Sequence, residues 1–240
     1  MNISIIIPTY NEKENISKLI PQIFDVFTRN GINGSLIVVD DSSPDNTAKE
    51  VKKLKERYSI RLIERKGKQG LGSAYITGFK KAIDLGSDII FEMDADFSHD
   101  PEYIPEFVKF MEDYDMVLGS RYIKGGKIEN WALWRKIVSR GANFIAGLLL
   151  GLNVRDITTG YRAYKAEVLR RIDLDEIRSN GYAFQAEILF RVKEKDFEVK
   201  EIPIMFVDRK KGESKLSKTE IIRFFILCIN LGIKRIISFS

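Results

Sequence analysis

The sequence predicts an α/β fold: a mostly parallel sheet flanked by helices, followed by an amphipathic C-terminal helix. Three observations carry that prediction. Short apolar, β-branched runs alternate with longer amphipathic segments through the first half of the chain, which is the pattern of βαβ units. Four of those runs end in polar or charged residues, as strands do where they deliver side chains to a ligand-binding edge. The chain has 240 residues, 44% of them hydrophobic and 30% charged, enough for one large buried core and unlike a disordered segment.

The elements follow in order. Ile3–Ile7 reads as a first strand, followed by a helical pattern from Glu14 to Phe27. Leu36–Val39 reads as a second strand, followed by a helix that starts near Pro44, a residue suited to the first helical position. Ile60–Ile63, Ile89–Met93 and Met116–Gly119 are further strands. Beyond them, Trp131–Leu152 and Tyr182–Lys195 have helical periodicity, Glu198–Met205 reads as a strand, and Asp208–Lys215 as a polar loop. An amphipathic helix closes the chain. Its polar residues Glu220, Arg223, Asn230 and Lys234 fall near one stripe, and Ile222, Phe225, Ile226, Ile229, Ile233, Ile236 and Ile237 fill most of the rest. We therefore expect one domain over residues 1–218 and a terminal helix over 219–240 that lies in a membrane interface or covers the sheet.

Several classes are disfavoured. The single cysteine, Cys228, cannot form an internal disulfide or a cysteine zinc cluster. The sequence opens as a strand rather than as a secretory signal, and no apolar segment reaches the roughly 18 residues needed to span a bilayer. Gly70-Leu71-Gly72-Ser73 follows the third run rather than the first and has Tyr75 where a dinucleotide fingerprint needs a small residue. No Gly-Lys-Ser/Thr phosphate loop and no Gly-X-Ser-X-Gly elbow is present. His99, the one histidine, is read as a loop-stabilising imidazole. The charge is concentrated: Arg121 to Arg140 holds six bases against Glu129, and Met205 to Ser240 eight bases against three acids. Placed beside apolar stretches, this favours an anionic lipid or phosphate partner over nucleic acid.

The chemistry gathers where strands end, at Pro8-Thr9-Tyr10-Asn11-Glu12, Asp40-Asp41-Ser42-Ser43, Asp94-Ala95-Asp96 and Ser120-Arg121-Tyr122. Two carboxylates one residue apart after a strand can hold Mg2+ or Mn2+ together with a diphosphate. Asp40 and Asp41 are open to two readings, as caps of the helix after Pro44 or, for Asp41, as an acceptor for a base or ribose.

These motifs, with Val39-Asp40-Asp41 and Gly119-Ser120-Arg121-Tyr122, resemble the family-2 inverting glycosyltransferases of the GT-A (Rossmann-like) fold. Lys124-Gly125-Gly126, Trp131, Arg135-Lys136, Ser139-Arg140-Gly141-Ala142-Asn143, Gly160-Tyr161-Arg162, Gly181-Tyr182, Phe184-Gln185, Glu187, Phe206-Val207-Asp208-Arg209 and Gly212-Glu213-Ser214-Lys215 resemble, within that family, the dolichyl-phosphate mannose synthases. The match runs from Ile5 to about Lys218.

The resemblance implies a metal-dependent enzyme that moves mannose from GDP-mannose to dolichyl or another polyprenyl phosphate. Pro8, Tyr10, Glu12, Val39 and Asp41 would hold the nucleoside. Asp94, Ala95 and Asp96 would bind diphosphate and metal, with Ser98 as a third metal ligand where some relatives carry Gln. Arg209 and Lys215 would close over the donor. Arg121, Arg135 and Ser139 would grip the lipid phosphate, and Asp94, Asp96 and Arg121 would be catalytic. The expected setting is the cytoplasmic face of a membrane, peripherally bound, with a small membrane-anchoring subunit as a further partner. A phosphate acceptor needs no general base, because its second pKa is about 6. A UDP-glucose-dependent polyprenyl-phosphate glucosyltransferase and a catalytically silent nucleotide- or lipid-binding regulator are the competing readings.

Overall fold

The computed structural model describes residues 1–208 and 218–238. Its main sheet has seven strands in the order β3-β2-β1-β4-β7-β5-β8. They are β1 (Ile3–Thr9), β2 (Gly34–Asp40), β3 (Ile60–Glu64), β4 (Ile89–Glu92), β5 (Met116–Ser120), β7 (Arg162–Lys165) and β8 (Val199–Pro203). All neighbours run parallel except β7, which lies antiparallel between β4 and β5. The helices are α1 (Lys13–Arg29), α2 (Thr47–Leu54), α3 (Leu71–Asp84), α4 (Ile104–Phe110), α5 (Leu133–Leu150), α6 (Ala166–Arg171), α7 (Gly181–Glu194) and α8 (Lys218–Ser238).

Alternation along β1 sets two cores, because successive strand residues point to opposite faces. Ile5 and Ile7 join Leu36 and Val38 in a layer covered by Leu19, Ile20 and Ile23 of α1 and Phe107 of α4. Ile6 joins Ile37 and Val39 in the other layer, under Tyr75 and Phe79 of α3, Phe184 and Ile188 of α7, and Phe224 and Cys228 of α8.

Two local expectations are corrected. The helix after the second strand begins at Thr47, not near Pro44. Asp45 turns the chain there by accepting the Thr47 amide at 2.9 Å, and Asn46 sits in the left-handed region at φ 68°. The expected strand Glu198–Met205 is two strands broken at buried Ile204, β8 and β9 (Met205–Val207). β9 leaves the main sheet and pairs in parallel with the three-residue β6 (Lys127–Glu129). A Cβ on Gly126 would meet the Ser120 carbonyl at 2.5 Å, so glycine there lets β6 start hard against the end of β5.

Helices α5 and α8 lie against each other. A Cβ on Gly232 would stand 2.6 Å from the Leu149 carbonyl, so that crossing depends on a bare backbone. On α5 only Asn143, Ala146 and Leu150 are buried, while Leu133, Phe144 and Leu148 are 74%, 73% and 75% exposed. Helix α8 buries Phe224, Cys228 and Gly232 and exposes Ile222, Ile226, Ile229, Ile233, Ile236 and Ile237. It thus covers core on one side and shows an apolar face on the other. No helix among the described residues is long and apolar enough to cross a membrane.

Candidate active site

Strands β1, β2, β4, β5 and β8 run in one direction, and the first four end at a single edge carrying the polar sequences named above. Among the residues expected to hold the nucleoside, Pro8 lies in register with Val39, and beside them Thr9 pairs with Asp40. The Val39 side chain is fully buried, so Val39 faces this edge through its backbone. Tyr10 is exposed, with the Lys68 ammonium 4.6 Å above its ring. Glu12 accepts a 2.6 Å bond from Asn15.

Neither aspartate that ends β2 caps α2. Asp40 accepts from the Thr9 hydroxyl at 2.8 Å and from the Ser43 amide and hydroxyl. Asp41 is ion-paired with Arg65, at 2.6 Å from its Nε, and takes the Gln69 amide at 3.1 Å. Arg65 also donates to Ser73 and to the Gly70 carbonyl. Asp41 therefore anchors the loop that leads into α3. Any part it takes in binding a base is played with a neutralised carboxylate.

Asp94 stands after β4 and is held from both sides. The Tyr75 hydroxyl donates to its Oδ1 at 3.0 Å, and the Asp94 amide donates to His99 Nδ1 at 3.0 Å. A ring nitrogen that accepts carries no proton, so the His99 proton resides on Nε2, 4.0 Å from Asp94 Oδ2. Burial pushes the imidazole below its usual value against the pull of Asp94 and Asp96, and it stacks on Tyr161 at 4.8 Å. His99 is thus a neutral prop, as expected from sequence. Asp96 Oδ1 accepts both the amide and the hydroxyl of Ser98, at 3.1 and 2.6 Å. The Ser98 hydroxyl spends its proton on Asp96 and is buried. It orients that carboxylate. Ala95 is buried between the two aspartates.

Among the residues expected to grip the lipid phosphate, Arg121 is buried and grips Asp156 through Nε and Nη2, each at 2.7 Å, with Nη2 also on Thr158. Only its Nη1 edge takes no part in these bonds. Arg135 donates from Nη1 to Asp208 at 2.7 Å and lies 3.9 Å over the Trp131 ring. The Ser139 hydroxyl pairs with the Tyr122 hydroxyl at 2.7 Å. Arg209 and Lys215 lie outside the described residues.

Two cavities meet here. A polar cleft of about 100 Å³ is lined by Asp94, Asp96, Ser98, Arg121 and Asp208. An apolar groove of about 220 Å³ runs between α5 and α8, past Val138, Ile145, Ile221 and Phe225. Trp131, Arg135, Thr158 and Tyr182 line both. Within that shared wall, Trp131 Nε1 and Arg135 Nε are buried donors with no hydrogen-bond partner among the described residues. A buried unpaired N–H costs about 1–3 kcal/mol, so the wall suits an acceptor atom that the described residues do not supply.

Sequence reasoning brought Asp94, Asp96, Arg121 and Arg135 to one cleft, and the structure places them there. It did not find Tyr75, Arg65 or Asp156. Each supports its partner from 19 to 35 residues away, and no short motif encodes such a pairing.

Residues 4–173 match the family model for Glycosyl transferase family 2. An undecaprenyl-phosphate mannosyltransferase from Micrococcus luteus is 43% identical, over 90% of this chain and 88% of its own length. The polyprenol monophosphomannose synthase of Mycolicibacterium smegmatis is 39% identical, over 90% of this chain and 82% of its own. The dolichol-phosphate mannosyltransferase of Pyrococcus furiosus is 38% identical, over 100% of this chain and 68% of its own. Among solved structures, glucosyl-3-phosphoglycerate synthase from Mycobacterium tuberculosis, in complex with Mn2+, UDP and phosphoglyceric acid, is similar with a TM-score of 0.71 at 17% identity, covering 96% of this chain and 78% of that one. At that identity the likeness is one of fold, and the fold is the GT-A arrangement expected from sequence. With the carboxylate pair at the end of β4 and the family match across most of the chain, this protein is a glycosyltransferase and belongs to glycosyl transferase family 2.

Proposed function

We propose that the enzyme transfers mannose from GDP-mannose to dolichyl or another polyprenyl phosphate, with inversion at the anomeric carbon. The observation that carries this reading is the continuity of the polar cleft with the apolar groove across a wall holding two unsatisfied N–H donors. A ligand with an anionic head and a hydrocarbon chain suits both halves. A soluble sugar acceptor would leave the groove without purpose. The names of the relatives, all mannosyltransferases or mannose synthases of polyprenyl phosphates, support the same sugar and acceptor.

In this reading an oxygen of the lipid phosphate attacks the anomeric carbon while the bond to the donor diphosphate breaks and its electron pair leaves with GDP. The nucleophile is already an anion at neutral pH, so no base is required, in keeping with a neutral His99 whose Nδ1 is occupied. The obstacle is repulsion between two anions. Arg135 and the free edge of Arg121 would offset it, through the geometry by which guanidinium groups bind phosphate. Asp94 and Asp96 fit Mg2+ or Mn2+ as hard oxygen donors held in orientation by Tyr75 and Ser98. Among the described residues no third carboxylate, imidazole or thiol completes a cluster with them, so diphosphate and water oxygens would fill the remaining positions. Such a cation would neutralise charge on the departing nucleotide. We place the enzyme on the cytoplasmic leaflet, held by the apolar faces of α5 and α8, alone or with an anchoring subunit.

The test is transfer of label from GDP-mannose, with UDP-glucose in parallel, to a short polyprenyl phosphate in the presence of Mn2+. Mannosyl lipid sensitive to mild acid is the expected product. Glucosyl lipid alone, or no transfer from either donor, would overturn the proposal. Asp96→Ala should cost on the order of a thousandfold in rate while leaving the melting transition in place.

A further inference from the structure

Trp131 carries an unused function. It follows β6 directly, after Asn130 in the left-handed conformation at φ 62°. Pairing of β6 with β9 sets it beside Asp208, whose amide reaches the Glu129 carbonyl. The indole stands edge-on to Phe206 at 5.7 Å and receives the guanidinium groups of Arg135 at 3.9 Å and Arg121 at 5.5 Å. Phe206 and two cations thus hold the ring between the two cavities. Nε1 is buried and has no acceptor among the described residues, and the same holds for Arg135 Nε.

Two buried donors on adjacent, stacked side chains would be satisfied by one bidentate acceptor. The nearest anion, Asp208, binds Arg135 through Nη1 at 2.7 Å and leaves both donors unfilled. A tetrahedral dianion has more oxygens and more charge than a carboxylate, and it can exchange with Asp208 on Arg135 while reaching the other two donors.

We propose that Trp131 binds the acceptor phosphate directly, its Nε1–H and the Arg135 Nε–H forming a two-donor notch that fixes the phosphate where the polar cleft opens into the apolar groove. The proposal rests on the polyprenyl-phosphate reading and adds to it a specificity-determining residue. Trp131 serves twice: its ring face holds the two arginines, and its edge recognises the anion they attract. The notch also selects against free polyprenols, which have a single hydroxyl and no charge to offer two donors.

Trp131→Phe retains an aromatic ring and removes the N–H. With GDP-mannose and a short polyprenyl phosphate, KM for the lipid should rise about tenfold or more, as expected for a lost bond to a charged group, and KM for GDP-mannose should stay put. An unchanged lipid KM, or an equal rise for both substrates, would overturn the assignment. A second measurement needs no substitution at Trp131 and no turnover. The chain has two tryptophans, so Trp134→Phe leaves Trp131 as the sole reporter. Its emission should change saturably with the polyprenyl phosphate and stay flat with a polyprenol of equal length. A response to both lipids, or to neither, counts against the notch. If the wild type transfers no mannose to polyprenyl phosphate, the transfer reading fails by itself, and the emission titration still decides whether a phosphate-bearing lipid sits on Trp131.

Discussion

Helices α1 and α5 are similar in length, 17 and 18 residues, yet the more apolar of the two, α5, is the less buried. Helix α1 buries Ile16, Leu19, Ile20, Ile23, Val26 and Phe27 against the sheet, one continuous stripe at helical spacing. Helix α5 buries only Asn143, Ala146 and Leu150 and turns Leu133, Trp134, Ile137, Phe144 and Leu148 outward. Helix α8 extends that outward face with six isoleucines. The apolar residues of α1 are accounted for by the chain itself. The outward ones of α5 and α8 are not covered by the described residues, and the membrane contact proposed above would account for both. The lesson is that apolar periodicity tells which side of a helix avoids water, and not whether protein or bilayer receives it.

The largest expected effect on stability lies on the sealed side. Leu19→Ala should destabilise the fold by roughly 2–5 kcal/mol, the cost of a buried leucine truncated in a packed layer. Chemical denaturation measures it. A loss below about 1 kcal/mol would mean that α1 is not the closed element described here.

The sealed interior is not wholly apolar, and this gives the next test. Glu92 is fully buried on β4, where it accepts from Tyr164 at 2.6 Å and Gln185 at 2.7 Å. Burial pushes its carboxyl from 4.5 up to about 7, against the lowering influence of Arg162 and the two donors. A folded pKa above the unfolded one means that the native state holds the proton more tightly. Stability from this group is then complete below pH 4.5, falls as pH rises to about 7, and is flat beyond. The gap is worth roughly 3 kcal/mol at most. Glu92→Gln should flatten that stretch of the stability–pH curve and raise stability at pH 8. Parallel curves for both proteins, recorded with chelator present, would show that Glu92 titrates elsewhere.

Much of this architecture was legible because β1, β2, β4 and β5 are mostly buried apolar runs, and such runs are conspicuous. Strand β7 was not, since Arg162-Ala-Tyr-Lys looks like a polar motif. What makes it a strand is tertiary: Arg162, fully buried, places its guanidinium on the carbonyls of Thr159, Gln185 and Ile157. Strand β6 is three residues long and exists through its partner β9. The aspartate pair of the site could be read from its position after a strand. The commitment of Arg121 to Asp156 could not, because nothing in the spacing of two residues 35 apart says that they meet.

The smallest effect on folding, and the sharpest test of the comparison, lies on the outer face of α5. Deleting α8 altogether would be ambiguous, because Phe224 and Cys228 belong to the core and their loss would unseat the domain along with the face. Phe144→Asp with Leu148→Asp touches only outward residues, 73% and 75% exposed, so the melting transition should move by no more than about 0.5 kcal/mol for each substitution. Binding to vesicles should respond far more. Exposed Arg140, Arg223 and Lys234 share these two helices with the apolar residues, and an interfacial helix draws its affinity from buried apolar area together with attraction to anionic lipid. Two carboxylates remove both contributions at once, so partition to phosphatidylserine-containing vesicles should fall by roughly tenfold or more, since withdrawing even one large side chain from the apolar phase costs about 1.5–3 kcal/mol. Transfer to a short polyprenyl phosphate in detergent, where no bilayer need be met, should survive. A double variant that sediments with vesicles as well as the parent would move the membrane contact away from α5. One that unfolds would mean that this face, like that of α1, is sealed by protein.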